Sequence, residues 1–412
     1  MPNLGGLNSP SSDRFRLIAY RSMDVSSQTL VVTPSTPLGI DGSRLFLDIK
    51  AVNGLKRYAA LWPGRVRCLM RLGDRSHIAF GESYDRAELP FDIVPVERTI
   101  RDHADALNDA AILLASGDSH LDLELPDIVA TPTVFVIEYT LETRLRILRL
   151  DHSLSIQTAK SAAWLLLRER DRRRAFGKAV GLQANGTPAF DSYRTLTPSS
   201  ICYFDTRMTN AQQITNAEIQ EKIAQVRAGR PLRLAFSGRL AKMKGADHLI
   251  PFAVALKGKG TAFTLDIYGD GPLHTDLQDA VQGAGLRDLV RLNGPIPFDT
   301  GLVPKMKNSI DLFVCCHRQA DPSCTYMETL SCGVPIVGYD NAAFKGIAAL
   351  GNVGVTVPID NINALATATA SLADDRDRLV EMMRAAAQIS QHHSFESIFS
   401  QRVNHLRTIA QV

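Results

Sequence analysis

Several things are scarce in this sequence. Of its 412 residues 7% are aromatic and two are tryptophan, and 46 basic side chains stand against 43 acidic ones, a net charge of +3. That near balance excludes a surface built throughout for a polyanion, so nucleic acid is not expected as a partner. No apolar run approaches the roughly 18–20 residues that span a bilayer. The first residues, Met1–Asp13, are rich in Asn, Gly, Ser and Pro, without a basic stretch leading into an apolar one. No secretory signal is expected there, and residues 1–13 are expected to be disordered. The expected location is therefore cytoplasmic, where the six cysteines stay reduced. Cys315, Cys316, Cys324 and Cys332 crowd around His317 but lack the close Cys-x-x-Cys pairs of a zinc site. They read as small buried thiols, and no metal is expected.

What is present is an alternation of strand and helix. Thr29–Thr33 reads as a buried strand, followed by a loop with Gly39 and Gly42, a helical pattern from about Leu45 to Leu61, and a strand at Val66–Arg71. Phe91–Pro95 and Thr133–Ile137 continue the series, with a helical stretch around Ala104–Ala115 between them. After a polar connector at Thr206–Arg230 the pattern repeats, with strands at Leu232–Phe236, Phe263–Tyr268, Val290–Leu292, Leu312–Cys315 and Pro335–Tyr339. Such alternation marks doubly wound parallel sheets. The expected fold class is α/β, two Rossmann-like domains facing across a cleft. Residues 1–210 would form one and residues 211–412 the other, the last helix packing back on the first domain. In open α/β sheets ligands sit beyond the carboxyl ends of the strands, so two facing sheets offer one cleft for two substrates.

Three segments of the second half carry candidate chemistry. Gly238 to Gly245 follows a strand directly and holds Arg239 and Lys244, a forked donor and a point charge suited to a diphosphate. Gly269-Asp270-Gly271-Pro272 is a tight strand-to-helix turn, with Pro272 fit for the first helical turn. Asp321-Pro322-Ser323-Cys324-Thr325 opens a short helix that carries Glu328 and ends at Gly333. Amides at such a start hold an anion or a hydroxyl-rich ligand, and a carboxylate such as Glu328 accepts from both hydroxyls of a ribose. Each segment alone has a plain alternative: a solvated basic loop, a common turn, a surface glutamate.

Taken in order over Leu232–Asp340, these segments resemble the donor domain of the retaining GT-B glycosyltransferases of family 4. The resemblance over Ser11–Thr206 is architectural only. It implies a nucleotide-sugar site on the second domain, an acceptor site on the first, retention of anomeric configuration, and no cofactor beyond the nucleotide sugar as co-substrate. On that basis Arg239 and Lys244 neutralise the leaving diphosphate, Glu328 holds the ribose, and Gly39, Gly42, Gly238, Gly269 and Gly271 let backbone approach the donor, with an ordinary turn as the equal alternative at Gly39 and Gly42. Two departures stand out. The glutamate usual eight residues before Glu328 is Ala320 here, so Asp321, with Pro322–Thr325, is expected to hold the hexose. Glu138 stands where the family places a histidine after a first-domain strand. A nucleotide-sugar epimerase and a non-catalytic partner subunit remain open as other readings.

One local feature is hidden by the small total charge. Arg144–Lys178 holds ten Lys/Arg against three Asp/Glu, interleaved with Leu145, Leu148, Leu150, Ile156, Trp164, Leu165, Leu166 and Leu167. Basic amphipathic helices with a tryptophan lie on anionic membrane surfaces, so a peripheral site on the inner face of a membrane and a glycan or lipid-linked acceptor are expected. Helices packed on the sheet with arginines in water are the plain alternative.

Overall fold

The computed structural model describes residues 28–78, 80–151 and 155–412. The expectation for residues 1–13 falls outside them. Among the described residues, ten strands belong to the first half: β1 Leu30–Thr33, β2 Gly39–Asp41, β3 Arg44–Asp48, β4 Val66–Arg71, β5 Gly81–Tyr84, β6 Asp92–Val96, β7 Ile112–Ser116, β8 Thr133–Ile137, β9 Gly181–Asn185 and β10 Ser199–Tyr203. Seven of them form one sheet in the order β10-β9-β8-β7-β1-β4-β6, with every pairing parallel. The second half adds β11 Leu232–Ser237, β12 Phe263–Tyr268, β13 Val290–Gly294, β14 Leu312–Cys315, β15 Ile336–Tyr339 and β16 Gly354–Val357. These form a parallel sheet ordered β13-β12-β11-β14-β15-β16. The fold is α/β of the GT-B type, with two parallel sheets each covered by helices. Strands such as LVVT in β1 and LFVC in β14 are buried throughout, as parallel strands covered on both faces must be.

Five helices shape the cleft and its surroundings: α1 Ile49–Leu61, α2 Leu141–Asp151, α3 Ile156–Lys178, α4 Thr325–Ser331 and α5 Phe395–Ala410. Helix α5 ends the chain yet packs on α1 of the first half, where the Tyr58 and Phe399 rings meet edge to face at 5.1 Å. Val403 and Leu406 of α5 complete the core around Leu30, Leu55 and Trp62. Phe135, Phe176 and Tyr193 form the aromatic centre of the other face of that sheet, with ring centroids 5.2 Å apart along the series.

The structure departs from the sequence reading in four places. The helical pattern begins at Ile49 rather than Leu45, because Arg44–Asp48 pairs as β3 with β2 and β5 in a small antiparallel sheet. Asp48 then caps α1, its carboxylate accepting from the Ala51 amide at 2.9 Å. The stretch Ala104–Ala115 is a short helix, Ala104–Asn108, followed by β7, since the apolar run ILLAS is buried between β1 and β8. Gly39 and Gly42, which the sequence left open between a donor loop and an ordinary turn, lie in the β2–β3 hairpin. A Cβ on Gly39 would meet Arg75 and Phe46, and Gly42 takes the turn with φ +62. Two strands joined by so tight a turn need that left-handed position, which explains the glycine without a ligand. The connector Thr206–Arg230 contains a helix, Asn216–Arg227, whose Ile219, Ile223 and Val226 enter the second core.

Candidate active site

The carboxyl edge of the second sheet is drawn tight by glycine. Gly269 has φ +126, and a Cβ there would lie 2.0 Å from the Gly238 carbonyl oxygen. Gly245, at φ +65, would similarly strike the Cys316 carbonyl oxygen at 2.0 Å. Only glycine lets the loops after β11, β12 and β14 touch in this way. Gly271 joins the same contact, since its Cβ would lie 2.6 Å from the Leu240 carbonyl oxygen, and the Leu240 amide donates to the Asp270 carbonyl at 2.9 Å. Gly238 (φ +150) therefore belongs with Gly269 and Gly271 to one loop cluster.

That cluster presents the candidate cations. Lys244 ends a single helical turn, Lys242–Lys244, and its Nζ donates to Asp321 Oδ2 at 2.5 Å. Asp321 is buried, and burial alone would raise its carboxyl; Lys244, His317 and Gln319 together outweigh that and hold it below the usual range. Its second oxygen, Oδ1, has no hydrogen-bond partner among the described residues. Arg239 stands exposed, and its guanidinium makes no hydrogen bond or salt bridge among the described residues. Arg318 braces the arrangement from behind: it pairs with Asp247 at 2.9 Å and Asp360 at 2.7 Å, and donates to the Lys242 carbonyl at 3.2 Å.

Glu328 sits on α4, buried, with Arg207 clasping both carboxylate oxygens at 2.7 and 3.1 Å. The Arg207 guanidinium in turn lies 3.7 Å from the centre of the Phe298 ring. Each carboxylate oxygen keeps a second lone pair for another donor. Pro322 and Ser323 line a small cleft with Asn185, Gly186 and Asp205 of the first half, and Ser323 donates to Thr325 at 3.2 Å. The thiol of Cys324 faces Asp205 at 3.4 Å and Lys50 Nζ at 3.1 Å, while Lys50 and Asp205 form a 2.6 Å salt bridge. The four clustered thiols are free, and burial pushes each of them up.

Across this junction lies the carboxyl edge of the first sheet and a cavity of about 1370 Å³. Glu138 follows β8 and lines it. Among the described residues its carboxylate has one weak donor, Asn185 Nδ2 at 3.4 Å. Burial pushes the carboxyl up to about 7, with the charges of Asp118 and Asp205 adding to the effect. Asp118 also fixes the turn that carries Glu138. It accepts from the Glu138 amide at 2.6 Å and the Tyr139 amide at 3.3 Å, and is itself held by Arg144 at 2.7 Å and Arg172 at 3.3 Å. The two edges meet, for α2 packs against the Lys242–Lys244 turn.

The structure thus gathers Lys244, Asp321 to Thr325, Glu328 and, across the junction, Glu138; Gly39 and Gly42 stay outside. Sequence reasoning missed Lys50, Asp118, Asn185, Asp205 and Arg207. Asp205 and Arg207 follow β10, a strand that the apolar pattern does not reveal, and Asp118 follows β7, whose sequence fits a helix. An acidic or basic residue just beyond a parallel strand is the signal that could have found them.

Two facing Rossmann-like domains with cations and a carboxylate on one edge define a GT-B protein. Residues 218–389 match the family model described as glycosyl transferases group 1, and the chain resembles that family. An alpha-D-kanosaminyltransferase of Streptomyces kanamyceticus is 28% identical over 179 residues, 42% of this chain and 46% of that protein. The lipopolysaccharide core biosynthesis mannosyltransferase LpsB of Rhizobium meliloti is 29% identical over 149 residues, 34% of this chain and 41% of that protein. The chain thus matches less than half the length of these curated relatives. Among solved structures, Anabaena HepE in complex with UDP superposes with a TM-score of 0.65 at 14% identity, covering 93% of this chain and 100% of that one. Sucrose-phosphate synthase from Thermosynechococcus elongatus gives 0.60 at 16% identity, covering 93% and 99%. At such identities the likeness concerns the fold.

Proposed function

We propose that the protein is a glycosyltransferase of the group 1 type. It would move a sugar from a nucleotide diphosphate onto a hydroxyl of a glycan or lipid-linked acceptor, with retention and without a metal. The observation that carries this reading is the meeting of Lys244 and Asp321 at 2.5 Å on one sheet edge, opposite Glu138 on the other. Lys244 keeps two further N–H donors, and Arg239 adds a forked cation beside it; together they stabilise charge developing on a departing diphosphate. Glu328, oriented by Arg207, accepts from the ribose hydroxyls. Asp321 offers its unpartnered Oδ1 to a hexose hydroxyl. Glu138, with its carboxyl near 7, takes the proton of an acceptor hydroxyl that attacks from the face the diphosphate leaves. The HepE structures, one with UDP and glucose and one with UDP-glucose, support a nucleotide-sugar ligand on this fold.

The test is to incubate the purified chain with sugar nucleotides, with and without candidate acceptors, and follow free nucleoside diphosphate. Acceptor-dependent release is the expected outcome, with the product's anomeric configuration matching the donor's by NMR. A new sugar nucleotide alone would make the protein an epimerase. Binding without turnover would make it a partner subunit.

A further inference from the structure

Helix α3 is built in two unlike halves. Its C-terminal half buries Glu169, Arg172, Ala175 and Phe176 against the first core. Its N-terminal half, Ile156–Arg168, leaves no side chain fully buried, although it is rich in leucine and alanine. Ile156 is 79% exposed, Leu167 63%, Leu166 53% and Trp164 43%. Only nine large apolar side chains stand open among the described residues, so nearly half of them lie on this one stretch. Leu121 is a fifth, next in sequence to His120, whose ring meets Trp164 edge to face at 5.7 Å. A contiguous apolar strip of this kind on an otherwise polar surface marks a place where something apolar binds.

The strip continues into the cavity. Trp164 and Leu165 line that space together with Ile147 and Leu148 of α2, while Asp118, Glu138, Lys50 and Asp205 stand at the sheet edge. At about 1370 Å³ the cavity exceeds the roughly 300–1,000 Å³ of ordinary small-molecule sites. Its α2 and α3 wall is amphipathic: Ile147, Leu148, Trp164 and Leu165 alternate there with Arg144, Gln157, Lys160 and Ser161. The charge around the strip is complementary to lipid phosphate: Arg146, Arg149, Lys160, Arg170 and Arg174 form no salt bridge among the described residues. Cations flanking apolar side chains on one helix fit an anionic bilayer surface, the arginines at the headgroups and the leucines below them.

We infer that the acceptor is an amphiphile drawn from an anionic lipid surface. Its apolar chain runs along the N-terminal half of α3, past Trp164 and Leu165, and its hydroxyl reaches Glu138. This rests on the glycosyltransferase reading and narrows its acceptor to one class.

The experiment is sedimentation of the full chain with phosphatidylcholine vesicles, with and without phosphatidylglycerol, for the native sequence and for the triple variant Ile156→Ser, Leu166→Ser, Leu167→Ser. Those three side chains are exposed and do not line the cavity, so the fold tolerates the change. Binding to the phosphatidylglycerol vesicles, with a loss of about tenfold or more in the variant, is the expected result. No binding, equal binding to both vesicle types, or binding unaffected by the variant would overturn the inference. Thermal stabilisation of both proteins by a sugar nucleotide keeps the two readings apart. Stabilisation without vesicle binding sinks the lipid acceptor alone, whereas absent stabilisation sinks the donor site itself.

Discussion

The carboxyl edges of the two sheets are built on opposite plans. On the second, glycines at 245, 269 and 271 let three loops touch, Lys244 pairs with Asp321, and Glu328 is clasped by Arg207 reaching over from the end of β10. On the first, a large cavity opens among Val136, Leu148 and Trp164, and Glu138 stands with one weak partner. A closely packed edge suits a ligand part that never changes, such as a nucleotide diphosphate. A roomy edge suits a part that differs from protein to protein. In the proposed reading the donor takes the closely packed edge and the acceptor the roomy one, and substitutions that strike one edge while sparing its opposite can break that division.

The largest effects belong to the second edge. Lys244→Ala and Glu328→Ala should each lower turnover by about two to three orders of magnitude, the scale seen when one preorganised electrostatic contact is removed. Steady-state release of nucleoside diphosphate measures this, and near-native rates in both variants would break the assignment. Next in size is Glu138→Gln, expected to cost about a hundredfold or more in transfer as a lost proton acceptor. Sugar-nucleotide affinity should hardly move. A fall in donor affinity equal to the fall in rate would place Glu138 on the wrong edge.

A smaller change should appear in Asp118→Asn. The negative charge of Asp118 helps hold the Glu138 carboxyl near 7, so removing it lowers that value. The limb of the rate profile that rises as Glu138 deprotonates should then move to lower pH, while the Lys244 edge is unaffected. A limb that stays in place would contradict the coupling.

These residues also show what the sequence made legible. The second edge was readable because its chemistry sits in three short runs directly after strands, each marked by glycine: Gly238–Gly245, Gly269–Pro272 and Asp321–Gly333. The first edge was not, because its groups come from distant places. Lys50 opens a helix, Asp118 follows one strand, Asn185 ends another, and Asp205 follows a third. Each looks ordinary alone, and only the sheet order β10-β9-β8-β7-β1 brings them together. Gly39 and Gly42 stayed ambiguous for the converse reason: a hairpin turn and a phosphate loop both call for glycine, and local sequence does not separate them. Most parallel strands were legible from their apolar runs. Residues 112–116 were not, since ILLAS after a helical segment fits either period.

The smallest effect concerns stability and lies beneath the second edge. Lys222 is fully buried, donating to the carbonyls of Met306 at 2.8 Å and Cys332 at 3.0 Å. Burial pushes its ammonium down to about 7 from an ordinary 10.5. Because the folded value lies below the unfolded one, the unfolded chain binds more protons between them, and stability rises as pH climbs through that range. Lys222→Met should flatten this slope, seen as urea midpoints that differ less between about pH 7 and about pH 9 than in the native chain. Equal slopes would contradict it.

The most direct test of the division between the edges is a thermal-shift comparison with UDP-, GDP-, ADP- and dTDP-sugars. One of them, at a hundred times its dissociation constant, should stabilise the native chain by about 2.7 kcal/mol. Lys244→Ala and Glu328→Ala should lose that stabilisation, and Glu138→Gln should keep it. No stabilisation by any of the four, or equal stabilisation of all the variants, would contradict a donor site on the second sheet.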